Sequence, residues 1–461
     1  MIDDTYETLE NLGDAIESER PLSMMERRRF LQAAAFAGAG AVAMPTFLAG
    51  AAGAQTSSTD TILLTVTLDG GNDGLNTLGP FGSGRYRDLR GSLAIGEGSA
   101  HSGPEDLLWH PSLRRLATRY RRGDVAVVRG VGEPALDQSH FSNMARWQSA
   151  NPNGAISATG WLGRWLDTFD NGQFSGVTIG GQGVPLHMRG TRTDVTDLPN
   201  REAALFGADR SQDWDVTMFR AINQMRQSDR SPWSSRVGEV AAQSIDSARA
   251  VAGAFAQDLP DASTLLTDMT LAARVINLNL GTRVVNVHQR GYDTHDNQIG
   301  ANSGVGEHAD LLGDLDLALD MFFAALNPAM AERVVVLVYS EFGRRAQANG
   351  SRGTDHGTSN HAFIIGRRIR GGMYGDAPPL GTLDDRGNFR VTVDFRRMYA
   401  TVVEQVLGSD SRGVLGANFQ SVANIIDTTD EVESTEDRAS EIRGRRRRNP
   451  ENYLLDRAPT F

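Results

Sequence analysis

The stretch GTDHGTSNH, residues 353–361, sets Asp355 beside His356, flanks the pair with glycines and adds His361 five residues on. Carboxylate and imidazole are acid/base groups and also ligands for divalent cations. The small residues between them cannot pack a core, so the segment reads as a loop folded around a metal ion or an anion, with a plain hydrogen-bonded turn as the alternative. The same residue types gather elsewhere. Asp69 and Asp73 close TILLTVTLDGGND, His288, Asp293 and His295 lie along VVNVHQRGYDTH, and Glu341 follows RVVVLVYS. Carboxylates and imidazoles brought together repel, or take shifted pKa values, unless a cation neutralises them. Mixed Asp/Glu and His donors suit zinc, manganese or iron better than calcium, which prefers oxygen alone. Each group also has a plainer role: a lone aspartate in a glycine-rich loop hydrogen-bonds its own turn, His295 can pair with Asp296, and Glu341 with Arg344. His101, His110, His187 and His308 lack such company and read as structural.

A largely parallel sheet would bring these groups to one place. TDTILLTVTLDGGNDGLNT reads as a buried strand over residues 62–68 running into a glycine-rich loop, and DVAVVRGVG as a second strand. TRVVNVHQRG, RVVVLVYSEFGRR and HAFIIGRR supply further strands, and residues 175–180 another. Helices are expected near 111–122, from Ser139 through Trp147, at 161–170 and at about 306–326, with a mainly helical block over 214–280 that suggests an insertion at about 200–280. Strands alternating with helices predict an α/β fold, an α/β/α sandwich whose loops carry ligand sites at one sheet edge.

Composition removes several chemistries. The 461 residues carry a formal net charge of −11, against a nucleic-acid partner, and the chain stays acidic without residues 1–54. Every basic residue is arginine and cysteine is absent, which excludes Schiff-base lysines, Walker-type lysines, thiolate nucleophiles, iron–sulfur clusters and disulfides. Arg27 and Arg28 precede Phe30 and Leu31, then an Ala/Gly-rich stretch ending in AGAQ. This pattern is similar to a twin-arginine export signal cleaved near Ala54, behind an acidic extension over residues 1–25. It predicts a periplasmic or extracellular protein, with the twin-arginine machinery as partner and the membrane involved only if the signal stays uncleaved. Residues 428–461, acids followed by arginines, read as a solvated charged tail.

LDGGNDGLNTLGP, QSHFSNMARWQS, GWLGRWLD, GYDTH, YSEFGRR, NGSRGTDHGTSNHAFIIG and DFRRMYATVVEQVLG together resemble the secreted bacterial family catalogued as domain of unknown function 1501, over roughly residues 60–425. That family is grouped with the alkaline phosphatase and sulfatase superfamily, whose α/β/α sandwich hydrolyses phosphate or sulfate esters at one or two metals. The resemblance implies Asp73 or Asp69 as a first metal-binding carboxylate, Ser139 as nucleophile and Asp293 with His295 as an Asp-then-His ligand pair. It also implies Glu341 as a ligand and His356, or Asp355 with it, as the Asp-His pair, with His361 beside them. Glu341-Phe342 stands where relatives have Asp-His or Asp-Asn, so the expected cofactor is one or two divalent ions, zinc or manganese, with a single ion compatible with this departure. With lysine absent, Arg344 and Arg146 are the candidates to hold an oxyanion. Ser142 and Thr77 are alternatives to Ser139, which also has the look of a helix N-cap. The expected function is an exported metal-dependent hydrolase acting on a small-molecule or polymer phosphate or related ester. The rival is a secreted non-catalytic binding or assembly protein on a hydrolase-like fold.

Overall fold

Aliphatic and β-branched residues fill ILLTVTLD and VVVLVY, and a run apolar on both faces is stable only as an interior strand. In a computed structural model of the chain they are β1 (Ile62–Asp69) and β9 (Val334–Tyr339), hydrogen-bonded side by side at the centre of the sheet. The structure describes residues 60–426, apart from 134–136, 152, 154, 169–171, 201–246, 248–249 and 303. The acidic extension, the export signal, the charged tail and most of the expected helical insertion lie outside the described residues.

The other strands are β2 (Leu78–Gly79), β3 (His101–Ser102), β4 (Leu108–Trp109), β5 (Val125–Gly132), β6 (Gly176–Ile179), β7 (Val195–Leu198), β8 (Val284–Arg290), β10 (Asn360–Ile365), β11 (Gly372–Tyr374) and β12 (Val393–Asp394). The main sheet runs β11-β5-β10-β9-β1-β8-β6-β7, with β12 also paired to β5, while β2, β4 and β3 form a small separate sheet. Every pairing in the main sheet is parallel except those of β10, which runs against both β5 and β9. The expectation of a largely parallel sheet holds. β7, β11 and β12 had no counterpart in the sequence reading, because two to four residues are too few to show a period. β8 reaches Arg290, so His288 sits inside the strand rather than in the loop after it.

Helices cover both faces. One core joins Ile62, Leu64, Val66 and Val285 to helices Arg114–Arg122, Thr264–Asn277 and Glu307–Ala325. The other joins Leu63, Val284, Leu337 and Tyr339 to helices His140–Ser149, Trp161–Leu166 and Phe395–Thr401. Alternation along each strand makes this two-sided burial possible, and the result is an α/β/α sandwich. Among the described residues no helix is long and apolar enough to cross a membrane.

Strand direction decides what meets at the edge. The loops after β1, β5, β8 and β9 leave from the same edge of the sheet, since these strands run the same way. Because β10 is reversed, the loop before it arrives there as well. GTDHGTSNH is that loop.

Candidate metal centre

Four loops deliver the side chains. His140 opens the helix His140–Ser149 that follows β5, Asp293 and His295 come from the loop after β8, Glu341 lies just after β9, and His356 precedes β10. His140, Asp293 and His356 each aim one ligand atom at a common point, all three within 4.8 Å of one another. His140 Nε2 and His356 Nε2 both lie 3.2 Å from Asp293 Oδ1.

The outer nitrogens fix what the inner ones can do. His356 Nδ1 lies 2.7 Å from the Gln138 carbonyl, which only accepts, so Nδ1 carries the proton and Nε2 presents a lone pair. His140 Nδ1 likewise faces Glu341 Oε1 at 2.7 Å. Its Nε2 is enclosed and makes no hydrogen bond of acceptable geometry. Two imidazole nitrogens therefore converge on a carboxylate oxygen that already accepts from Arg344, a donor set that could hold a cation. The donors fit one metal ion, with Glu341 and the Gln138 carbonyl orienting the rings from behind.

His295 stands against this trio. Its Nε2 lies 2.7 Å from His356 Nε2 and 3.0 Å from Asp293 Oδ1, and its Nδ1 lies 3.6 Å from Asp355. Asp355 accepts from Asn349 and is held below the usual carboxylate range by that bond, so it backs His295 rather than joining the trio.

Charge in the site follows from these contacts. Burial would raise the Asp293 pKa, but the Arg344 guanidinium 2.6 Å away outweighs it and keeps the carboxylate ionised well below its ordinary range. The Glu341 hydrogen bond lifts the His140 imidazole above its usual value. Partial burial pushes His356 the other way.

Arg344 was expected to bind an oxyanion, and the structure gives it a different task. Its guanidinium donates to the carbonyls of Gly70, Gly71, Tyr292 and Thr354 and to Asp293, and it is fully buried among these loops rather than turned toward a ligand. It ties together the loops after β1 and β8 and the loop before β10. Gly70 makes this possible. Its φ is +118°, and a Cβ there would stand 2.4 Å from the Asp293 nitrogen. At Gly353 a Cβ would stand 2.2 Å from the His295 carbonyl oxygen, so the opening motif needs its glycine for close approach.

Asp73, expected as a ligand, is placed elsewhere. Both oxygens are taken by a fully buried bidentate pair with Arg90 at 2.7 and 2.8 Å, by Gln298 at 2.7 Å and by the Asn76 amide, whose short helix it caps. Burial opposes its ionisation and Arg90 restores it, leaving its pKa lowered. Asp69 faces His288 and takes no part in the trio. Glu341 is a buried prop rather than a trio member, since one oxygen also accepts from Gly70 and the other from Ser340. His361 sets its Nε2 3.1 Å from the Leu78 carbonyl, away from the centre, and burial drops its pKa to about 4.

Ser139 is exposed at the helix start beside His140. Its amide donates to Asp137, while its hydroxyl caps nothing. Ser142 is bound to Asp137, Thr77 is buried on the Asp73 carbonyl, and Arg146 lies between Glu133 and Asp137. His140 is the residue the sequence reading missed. The signal is in the sequence: His140 follows β5 as the other donors follow their strands.

A family model described as Protein of unknown function (DUF1501) matches residues 123–434, which include all three members of the trio. The chain belongs to this family. By fold it is similar to a protein in the alkaline phosphatase superfamily from Vibrio parahaemolyticus, at 9% identity over 85% of this chain and 78% of that one, with a TM-score of 0.38. It is also similar to a 2-O GAG sulfatase, at 11% identity over 79% of this chain and 76% of that one, with a TM-score of 0.29. No curated protein matches the chain.

Proposed function

We propose that this member of the family is an exported, metal-dependent hydrolase of phosphate or related esters, using one zinc or manganese ion. The observation that carries the reading is the trio itself: His140 Nε2, His356 Nε2 and Asp293 Oδ1 converge, with both rings pinned from behind. Three protein donors leave a position free for substrate or water, which separates catalytic from purely structural zinc sites. Asp293 is about half exposed, so that position faces solvent. A cation held there would polarise an ester oxygen and stabilise charge developing on it.

This chain's own groups do the rest. Arg344 and Glu341 hold Asp293 and His140 in place, and His295 lines the mouth at Nε2 distances of 3.0 Å or less from Asp293 and His356. Ser139, with its hydroxyl uncommitted beside His140, is the nucleophile implied by the resemblance, and a water is the other acceptor of the ester group. Ser139→Ala separates them: loss of turnover with metal retained supports the serine, and unchanged turnover assigns the attack to water.

The test of the function is elemental analysis of the native protein joined to a panel of phosphomonoester, phosphodiester and sulfate-ester substrates. The expected result is about one divalent ion per chain, with turnover lost on chelation and restored by zinc or manganese. Protein that binds no ion under any loading condition, or turnover indifferent to chelator, would overturn the reading.

A further inference from the structure

A second carboxylate–imidazole pair stands at the same sheet edge, outside the trio. His288 Nδ1 lies 3.0 Å from Asp69 Oδ2 and 3.3 Å from Oδ1. Asp69 ends β1, and His288 sits on β8 opposite Thr67. By alternation both side chains emerge on the face covered by the helix His140–Ser149, the face that also carries Tyr339.

Two short links join the pair to the metal centre. The Asp69 carbonyl accepts from the Tyr292 amide, next to Asp293. The Gly70 amide donates to Glu341 Oε1, the same oxygen that holds His140 Nδ1. The pair therefore sits beside the metal centre on its β8 side, joined to it through the Asp69–Gly70 backbone.

Its chemistry is that of an oriented imidazole. With Nδ1–H given to Asp69, the neutral ring presents its Nε2 lone pair outward, and both side chains are partly exposed, at 21% and 26%. A partly exposed pair of this kind contributes little to stability, and neither residue belongs to the hydrophobic core. We infer that His288, oriented by Asp69, is the proton-transfer residue of the cleft, acting on an ester bound at the metal centre. This rests on the hydrolase reading above. The attacking O–H, of water or of Ser139, loses its proton to Nε2 as its oxygen bonds to phosphorus. The bond from phosphorus to the leaving oxygen breaks, with the electron pair staying on that oxygen. The departing oxygen, on the far side of phosphorus, takes a proton from solvent and leaves as an alcohol, while the imidazolium returns its proton to solvent and neutral His288 is restored. If Ser139 attacks first, water repeats the cycle on the seryl ester.

The groups facing His288 come from every element around it. Asp69 approaches from β1, His187 from the turn Leu186–Met188 with ring centres 6.4 Å apart, Asp268 from the helix Thr264–Asn277, and Arg290 from its own strand. Burial drives His187 down to about 3, so it stays neutral, and raises Asp268 to about 6. A pH profile must therefore be compared between wild type and His288→Ala, because Asp268, raised to about 6, can itself shape the profile.

The experiment uses zinc-loaded full-length protein with p-nitrophenyl phosphate and bis(p-nitrophenyl) phosphate. His288→Ala is expected to lower kcat about 100-fold or more with KM and zinc content near wild type, and added imidazole should restore part of the rate. Asp69→Asn should lower kcat less. A second arm needs no turnover: inorganic phosphate should protect His288 from diethyl pyrocarbonate, read by peptide mass spectrometry, and His356→Ala should abolish the protection. Wild-type kcat in His288→Ala, or a loss that imidazole leaves untouched, overturns the inference while the hydrolase reading stands. Protection of His288 without turnover of any ester leaves the pair in the cleft and overturns the hydrolase reading. Turnover with no protection removes His288 from the cleft.

Discussion

Glu341→Gln separates charge from geometry at the back of the metal centre. Glutamine keeps an oxygen to accept from His140 Nδ1 and the Gly70 amide, and its NH2 can meet the Ser340 hydroxyl, so the shape of the contacts in the native chain survives. What is lost is a negative charge 2.7 Å from Nδ1. Across one imidazole width, at about 7 Å, removing a unit charge changes the energy of a divalent cation by about 1 kcal/mol at the dielectric of water and about 5 kcal/mol at a dielectric near 20. The half-exposed Asp293 places the site toward the wetter limit. The expected loss is about 1.4–2.7 kcal/mol, or roughly 10- to 100-fold in metal affinity, as for other partners that orient a metal-bound histidine. Competition titration with a zinc chelator at pH 8 measures it. The loss should shrink at lower pH. Glu341 raises the His140 pKa, so in the native protein a proton competes for Nε2 from a higher pH downward, and the variant escapes that competition until the pH falls further. Wild-type affinity at pH 8, or a wild-type-to-variant gap that widens on acidification, would refute the reasoning.

Other expectations are simpler. His356→Ala should lower metal affinity about 10-fold or more while the protein melts nearly as before, because the ring contributes ligation rather than core packing; full metal occupancy in the variant would count against the trio. Asp73→Ala leaves Arg90 buried without its partner and should destabilise the fold by about 3–5 kcal/mol in a denaturant titration, with metal content per folded chain unchanged. Since the Asp73 pKa is lowered on folding, its contribution is present above about pH 4, the ordinary aspartate range, and fades as pH falls through the folded value, so the variant's deficit should narrow in acid. Lysine at both Arg27 and Arg28 should leave uncleaved precursor inside the cell, and unchanged export would refute the twin-arginine assignment.

The sequence made the sheet legible because its central strands are long apolar runs, and strand-end position brought out Asp293, His295, Glu341 and His356. It could not show which of two aspartates in GGND and its flank would be consumed by a partner seventeen residues away. Asp73 is neutralised by Arg90, a contact with no local signature. Nor does residue type separate an arginine that binds anions from one buried on loop carbonyls and a carboxylate, as Arg344 is. The reversal of β10 also carries no periodic mark, although it sets the 353–361 loop at the right edge. His140 was readable by the rule that found the others.

The clamp formed by Arg344 has a bearing on how the centre takes up and gives up its ion. A guanidinium keeps its charge at any pH a protein survives, and four of its five acceptors are backbone carbonyls that do not titrate either. Acid can therefore protonate the imidazoles without untying the loops that carry them. Filling and emptying become separate from folding: a preparation stripped of metal at mild acidity keeps an empty mould and refills on neutralisation without passing through an unfolded state.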